Sequence, residues 1–385
     1  MDLRHAYIID GKRSYIGITD GMYKNIPAEI LGAIVLRETV PLRLRDNIDY
    51  IIAGNGVGAG GNICRLMMLE AGFSDSIPAY TIDLQCGSGL TAIEAAYEKI
   101  ACGKADYIIA GGFESSSTAP LRAYNKNHPD YEYYGGENST YSVAKFSPGY
   151  HDRYAMIKGA ERVAIADNIS RADLNKWVFR SHRLAAQARG VGKLKDILVQ
   201  VSDGMCKDSG IRDRINDKFL DKLPCLLPDG KVMTAGNTCL THDGAAYVRV
   251  ASERYMEDAG VKPLAEIVDI VAVGGNPLES PRTAITAIEK LLLRNNMTWK
   301  DISVFECNEA FAVIDELFAR KYPNAVDRYN VYGGALAYGH PYGASGGIIT
   351  LHACMALEEL GGEYAVCSIA AAGGVGQAML IKNVK

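Results

Sequence analysis

The 385-residue sequence lacks any uninterrupted apolar stretch of about 18 residues, so no membrane-spanning helix is expected. It has no Cys-x-x-Cys pair among its nine cysteines (Cys64, Cys86, Cys102, Cys206, Cys225, Cys239, Cys307, Cys354 and Cys367). An odd number of scattered cysteines in a long chain suggests neither a zinc site nor a disulfide scaffold. Most should be reduced and buried as small hydrophobes, which fits a cytoplasmic setting. The sequence also lacks an excess of positive charge, with 41 Lys and Arg against 45 Asp and Glu for a net charge of -4. That argues against a bulk electrostatic grip on nucleic acid, while leaving room for a local basic patch for a phosphorylated ligand. The opening MDLRHAYIIDGKRS has no signal-peptide apolar region, and the closing IKNVK carries no peroxisomal or ER address.

What is present is an ordinary globular balance, 48% hydrophobic and 22% charged, in a chain long enough for two or three domains. Strand-like and helix-like runs alternate from residue 6 to 112: strands over 6–10, 48–57, 78–84 and 105–112, helices over 27–40, 62–73 and 87–103. This alternation predicts an α/β layered fold. Between about 114 and 240 the rhythm breaks into a tyrosine-rich loop (Tyr131, Tyr133, Tyr134, Tyr141, Tyr150, Tyr154) and helices over 156–168 and 172–188. The tyrosines either carry ligand contacts or cover a core edge. Strands then return at 264–274, 302–307 and twice over 363–383, with helices over 309–322 and 343–360.

The two ends resemble each other in the same order at roughly 255–260 residues' separation, which means duplicated domains rather than a solenoid. CGSGLTAIEAAYEKIACGKADYIIAGG from Cys86 parallels YGASGGIITLHACMALEELGGEYAVCSIAAAGG from Tyr342, and IDYIIAGNG parallels ISVFECNEA. The expected division is 1–115, completed by 241–262, for the first half, 116–240 for an inserted loop domain and 263–385 for the second half.

Three strand-to-helix junctions carry chemistry. Cys86, in Gln85-Cys86-Gly87-Ser88-Gly89, sits where unpaired N–H groups and a helix dipole favour thiolate, the nucleophilic form. The other reading of this segment is a buried, inert cysteine before a glycine turn. His340, in Gly339-His340-Pro341, occupies the equivalent junction of the second half, and face-to-face packing of the halves would bring base and nucleophile together. Asn308, in Cys307-Asn308-Glu309, either caps a helix or donates to an oxyanion.

The segments QCGSGL, AGGFES, ISRADLNKWVFRSHRLAAQA, TAGNTCLTHDGAA, NEAF, GGALAYGHPYGASGG and AAGGVGQAM resemble thiolase motifs, in thiolase order and over nearly the whole chain. The resemblance implies two βαβαβαββ halves in five αβαβα layers plus a covering loop domain. It implies homodimers or homotetramers, coenzyme A thioester substrates and no tightly bound cofactor or metal. By position, Cys86 would be acylated and His340 would activate it. Asn308 would fix a water that joins His340 in an oxyanion hole. The N–H groups of Cys86 and Gly374 would form a second hole. Met156, Cys239, Ser345 and Arg212 fall where the family contacts CoA, although Arg212 reads equally as a solvated loop charge.

One position departs. The family's second catalytic cysteine, expected just before the C-terminal glycine turn, is Ala370; Cys367 is three residues early, and an odd shift in a strand points it at the opposite face. Alanine cannot titrate, and a positioned acid–base group contributes about 10²–10⁴-fold, or roughly 3–5 kcal/mol. Cys239 and Leu240 also replace the family's usual serine and glycine, and Ala155 its usual histidine. The leading expectation is an acyl-CoA C-acyltransferase that makes or cleaves 3-ketoacyl-CoA. Alternatives are a decarboxylating, ketoacyl-synthase-like condensing enzyme using Cys86, His340 and Asn308, and a non-catalytic acyl-CoA-binding partner subunit.

Overall fold

A computed structural model of the chain describes residues 3–133, 136, 140–239 and 241–384. Eleven strands are described: β1 Ala6–Ser14, β2 Gly17–Ile18, β3 Tyr50–Gly54, β4 Ala79–Ile82, β5 Tyr107–Ser115, β6 Leu198–Val199, β7 His242–Ser252, β8 Ala265–Gly274, β9 Val304–Cys307, β10 Tyr364–Ala371 and β11 Val375–Asn383. The helices are α1 Ala28–Thr39, α2 Ile63–Glu70, α3 Ser88–Ala101, α4 Ala155–Ala166, α5 Arg171–Gly190, α6 Asp217–Lys222, α7 Glu253–Ala259, α8 Arg282–Arg294, α9 Ala312–Lys321, α10 Ala335–Tyr338 and α11 Ser345–Leu360.

The sheet path shows the duplication directly. Its order is β4-β3-β5-β7-β1 in the first half and β8-β11-β10-β9 in the second, joined edge to edge by antiparallel pairing of β1 with β8. In each half a parallel pair (β3 with β5, β9 with β10) leads into two antiparallel pairs, and the first half adds a second parallel pair, β4 with β3. The second half carries four of these strands where the resemblance implies five. The counterpart of β4 is a single parallel bridge between Phe305 and Tyr329. Extension stops there because Asn330 turns left-handed, at φ 42°, and its side-chain amide takes both backbone groups of Cys307 at 2.8 and 2.9 Å.

Helices α1 and α2 cover the outer face of the first half, α8 and α9 that of the second, and α3 and α11 lie side by side between the sheets. These are the five expected layers, and three apolar clusters fill the seams between them. Strands β5 and β7 are buried at every position, as central strands covered on both faces must be. The middle helices approach closely because their first turns are glycine. A Cβ on Gly89 would lie 2.5 Å from Gly343 O, and one on Gly346 would clash with Leu90 N. The N-termini of α3 and α11 therefore meet at the centre of the molecule.

Between β5 and α4 the described residues form no α-helix or named strand, and the isolated bridges Arg122–Tyr141 and Ser147–Tyr150 are the β pairings among them. Tyr141 stacks on Tyr124, with ring centroids 4.9 Å apart, and Tyr133 lies exposed. Tyr134 and Leu240 fall outside the described residues. No described helix is long and apolar enough to cross a membrane.

Candidate active site

The Cys86 junction is built by local hydrogen bonds. Asp83 accepts from Gln85 N and Gln85 Nε2 at 2.9 Å, and Ser88 Oγ donates to Gln85 O at 2.6 Å while accepting from Leu84 N. These bonds hold Gln85 left-handed, at φ 51°, a conformation most side chains avoid. The tight turn Gln85–Gly87 then presents Cys86, 7% exposed, ahead of α3. Two backbone N–H groups, those of Ala372 and of Cys86 itself, point at the sulfur and pull its pKa down. Burial is the larger effect and pushes the thiol up to about 12. The helix end does not make a resting thiolate, as its position in the sequence suggests; desolvation wins.

His340 is held in one tautomer. Ser345 Oγ donates its single proton to Pro341 O at 2.9 Å, so at 2.6 Å it accepts from His340 Nδ1–H. His340 Nε2 is therefore the bare nitrogen, and Asn308 Nδ2 approaches it at 3.3 Å. Burial, with a smaller contribution from His242, lowers the imidazole to about 3. Both side chains are thus neutral at rest.

Cys86 and His340 line one cavity of about 410 Å³, together with Tyr342, Ala370 and Ala372. Thr238, Cys239, Ala310 and Phe311 form a second part of its wall. Val143, Ala144, Phe146, Met156 and Ile157, from the loop segment and α4, give it an apolar part, with Arg122 and Arg153 also in the lining. Ala370 presents its methyl to the cavity, whereas Cys367 is buried in the seam against α11, its thiol facing Ile349 O at 3.6 Å. Among the described residues no group of three or more His, Cys, Asp or Glu side chains is arranged to hold a metal.

The remaining sequence candidates divide. Met156 and Cys239 line the cavity. Asn308 is buried beside the imidazole. Ser345, expected among the CoA contacts, is 2% exposed and spends its hydroxyl on His340 and Pro341. Arg212 lies in a separate surface cleft with Arg214 and Phe219. Gly374 is corrected: its N–H donates to Ser280 Oγ at 3.0 Å, and the turn N–H aimed at Cys86 is that of Ala372. Sequence reasoning misses Ala372 because a backbone donor leaves no trace in residue type. Its one signal is that it lies two residues beyond Ala370.

Two domain models match the chain: Thiolase, N-terminal domain, over residues 6–254, and Thiolase, C-terminal domain, over residues 261–383. The chain belongs to the thiolase family. YhfS of Bacillus subtilis, whose name gives acetyl-CoA C-acetyltransferase as a provisional activity, is 33% identical over 98% of this thiolase-family chain and 99% of its own length. VraB of Staphylococcus haemolyticus, named in the same way, is 33% identical over 99% of both chains. Among solved structures, Bacillus anthracis acetyl-CoA acetyltransferase superposes with a TM-score of 0.89 at 27% identity over 100% of both chains. Human mitochondrial 3-ketoacyl-CoA thiolase in complex with CoA does so with 0.89 at 29%, again over 100% of both.

Proposed function

We propose that this thiolase-family protein is an acyl-CoA C-acyltransferase that carries the acyl group as a thioester on Cys86 and makes or cleaves 3-ketoacyl-CoA. The observation that carries the reading is the convergence of Cys86 and a tautomerically fixed His340, from equivalent junctions of two duplicated halves, on one cavity. His340 Nε2 takes the proton of Cys86 Sγ as the sulfur attacks a thioester carbonyl. The developing oxyanion meets the N–H groups of Cys86 and Ala372. The carbon–sulfur bond to CoA breaks, and CoA leaves as a thiol with the proton from His340. His340 Nε2 is then bare again, and Asn308 Nδ2 beside it keeps its N–H groups for the next thioester oxygen.

Met156 and Cys239 would contact the pantetheine arm, and the Arg212 and Arg214 cleft suits its phosphates. The free cysteines fit a reducing cytoplasm, and the family resemblance supports a homodimer or homotetramer. Intact mass after incubation with acetyl-CoA tests the reading. We expect one acetyl adduct on the wild type, none on Cys86→Ala, and formation slowed by about 10²–10⁴-fold in His340→Asn. An adduct that persists in Cys86→Ala defeats it, and no adduct on the wild type returns the chain to a silent binding partner.

The methyl at Ala370 favours a second reading. A donor that loses CO₂ generates its own enolate and needs no base at that position, so turnover of malonyl-CoA against acyl-Cys86 would identify a decarboxylating condensation.

A further inference from the structure

The cavity lining holds few groups able to move a proton. They are Cys86, Cys239, His340, Tyr342, Arg122 and Arg153. A guanidinium keeps its protons. Burial drives the Tyr342 phenol far above its ordinary value of 10.0. Cys86 is spent as the acyl carrier and His340 as its activator. Among the described lining residues only Cys239 remains, in the loop ahead of β7. That loop is pinned to the segment after β9 and to the start of α10, since Cys239 N donates to Ala310 O at 2.9 Å and Cys239 Sγ–H to Ala335 O at 3.0 Å. A second observation points to a ligand at the same place. Thr238 is 6% exposed and lines the cavity, and its hydroxyl has no hydrogen-bond partner among the described residues. A buried hydroxyl left so carries an uncompensated desolvation cost, which a ligand carbonyl or amide would relieve.

We propose that Cys239 is the acid–base thiol of this site, standing in from the loop ahead of β7 for the cysteine that position 370 lacks, with the Thr238 hydroxyl beside it as a contact for bound acyl-CoA. The proposal rests on the acyl-Cys86 reading. Burial first, then the Glu309 carboxylate and Cys86, hold the Cys239 thiol well above its ordinary range. It therefore starts as an acid, which suits cleavage. Cys86 sulfur bonds to C3 of a 3-ketoacyl-CoA, the C2–C3 bond breaks with its electron pair moving to C2, and Cys239 gives its proton to C2. The Cys239 thiolate then takes the proton of incoming CoA, whose sulfur bonds to the acyl carbon as the Cys86 thioester breaks. Cys86 leaves as thiolate and is reprotonated from the His340 imidazolium, which closes the proton balance.

The test compares wild type, Cys239→Ser, Cys239→Ala and the double variant Cys239→Ser/Ala370→Cys in two assays. One is thiolysis of acetoacetyl-CoA; the other is the acyl-enzyme formed from acetyl-CoA, read by intact mass. We expect thiolysis to fall by about 10²–10⁴-fold in both single variants while acyl-Cys86 still forms, and to recover in part in the double variant. Thermal melts exclude loss of fold. Thiolysis at the wild-type rate in Cys239→Ser overturns the proposal. So does parallel loss of both half-reactions without rescue, which is the mark of a merely structural cysteine. A wild type that acylates Cys86 but never cleaves acetoacetyl-CoA overturns it too and leaves the acyl-carrier reading intact. Absence of any acyl-enzyme on the wild type defeats that earlier reading instead.

Discussion

A buried imidazole lowered to about 3, against its ordinary 6.5, stays neutral as the medium becomes acidic. The sign follows from desolvation: burial penalises imidazolium, so protonation needs a higher proton concentration. The rate of Cys86 acylation should therefore show no loss through pH 6.5, where an ordinary histidine base would be half protonated. Rapid-quench intact mass, from neutrality down to the limit of the fold, checks this; a tenfold fall per unit below 6.5 would show that His340 is solvated. Cys86 and His340 are legible in the sequence because each stands in a glycine-rich junction repeated in the other half. Neither the state of the pair nor its partners is legible. Thiolate is the expectation from a helix end alone, and only the depth of burial reverses it. Ser345 reads as a ligand hydroxyl until the turn before α11 is seen to aim it at His340 Nδ1.

Among elements, β1 bears on the site through one buried ion pair. Arg13 donates to both oxygens of Asp208 at 2.9 and 3.2 Å, and Asp208 also accepts from Ile16 N at 2.8 Å. The guanidinium carbon lies 5.3 Å from the centre of the Tyr338 ring, two residues before His340. Removing the acid leaves a fully buried cation without a counter-charge. Asp208→Ala should therefore cost about 3–5 kcal/mol in urea unfolding and slow acylation as the floor under α10 loosens. Loss of under about 1 kcal/mol would place the pair with ordinary surface bridges. The pair joins positions 195 apart in sequence, and no local pattern announces it. Elements follow the same rule. Helices α1, α3 and α5 fall within a few residues of where periodicity sets them. By contrast, periodicity names no element between 275 and 301, where α8 forms, and β7 begins unannounced within a motif read for its ligand contacts.

For the whole molecule, the duplication puts the site where the two halves touch. The N-termini of α3 and α11 are pressed together glycine to glycine, and each begins within a few residues of Cys86 or His340, the pair proposed to react. The separation of Cys86 and His340 is thus set by the helix contact rather than by either half alone. A methyl on Gly346 would collide with Leu90 N and with the backbone of Gly89, neither of which is a flexible side-chain end. Gly346→Ala should therefore push the halves apart at their centre, costing about 1–3 kcal/mol by overpacking. Displacement of about 1 Å between reacting groups costs on the order of 10²-fold, so acylation should fall by about that factor. Gly190→Ala, at the end of α5 with no neighbour for its methyl, should leave both quantities unchanged. Stability and acylation falling together in Gly346→Ala alone would show that the reacting distance is a property of the interface between the halves. A stable Gly346→Ala protein acylating at the wild-type rate would mean that each junction holds its own residue in place, and that the duplication built the fold without setting the site.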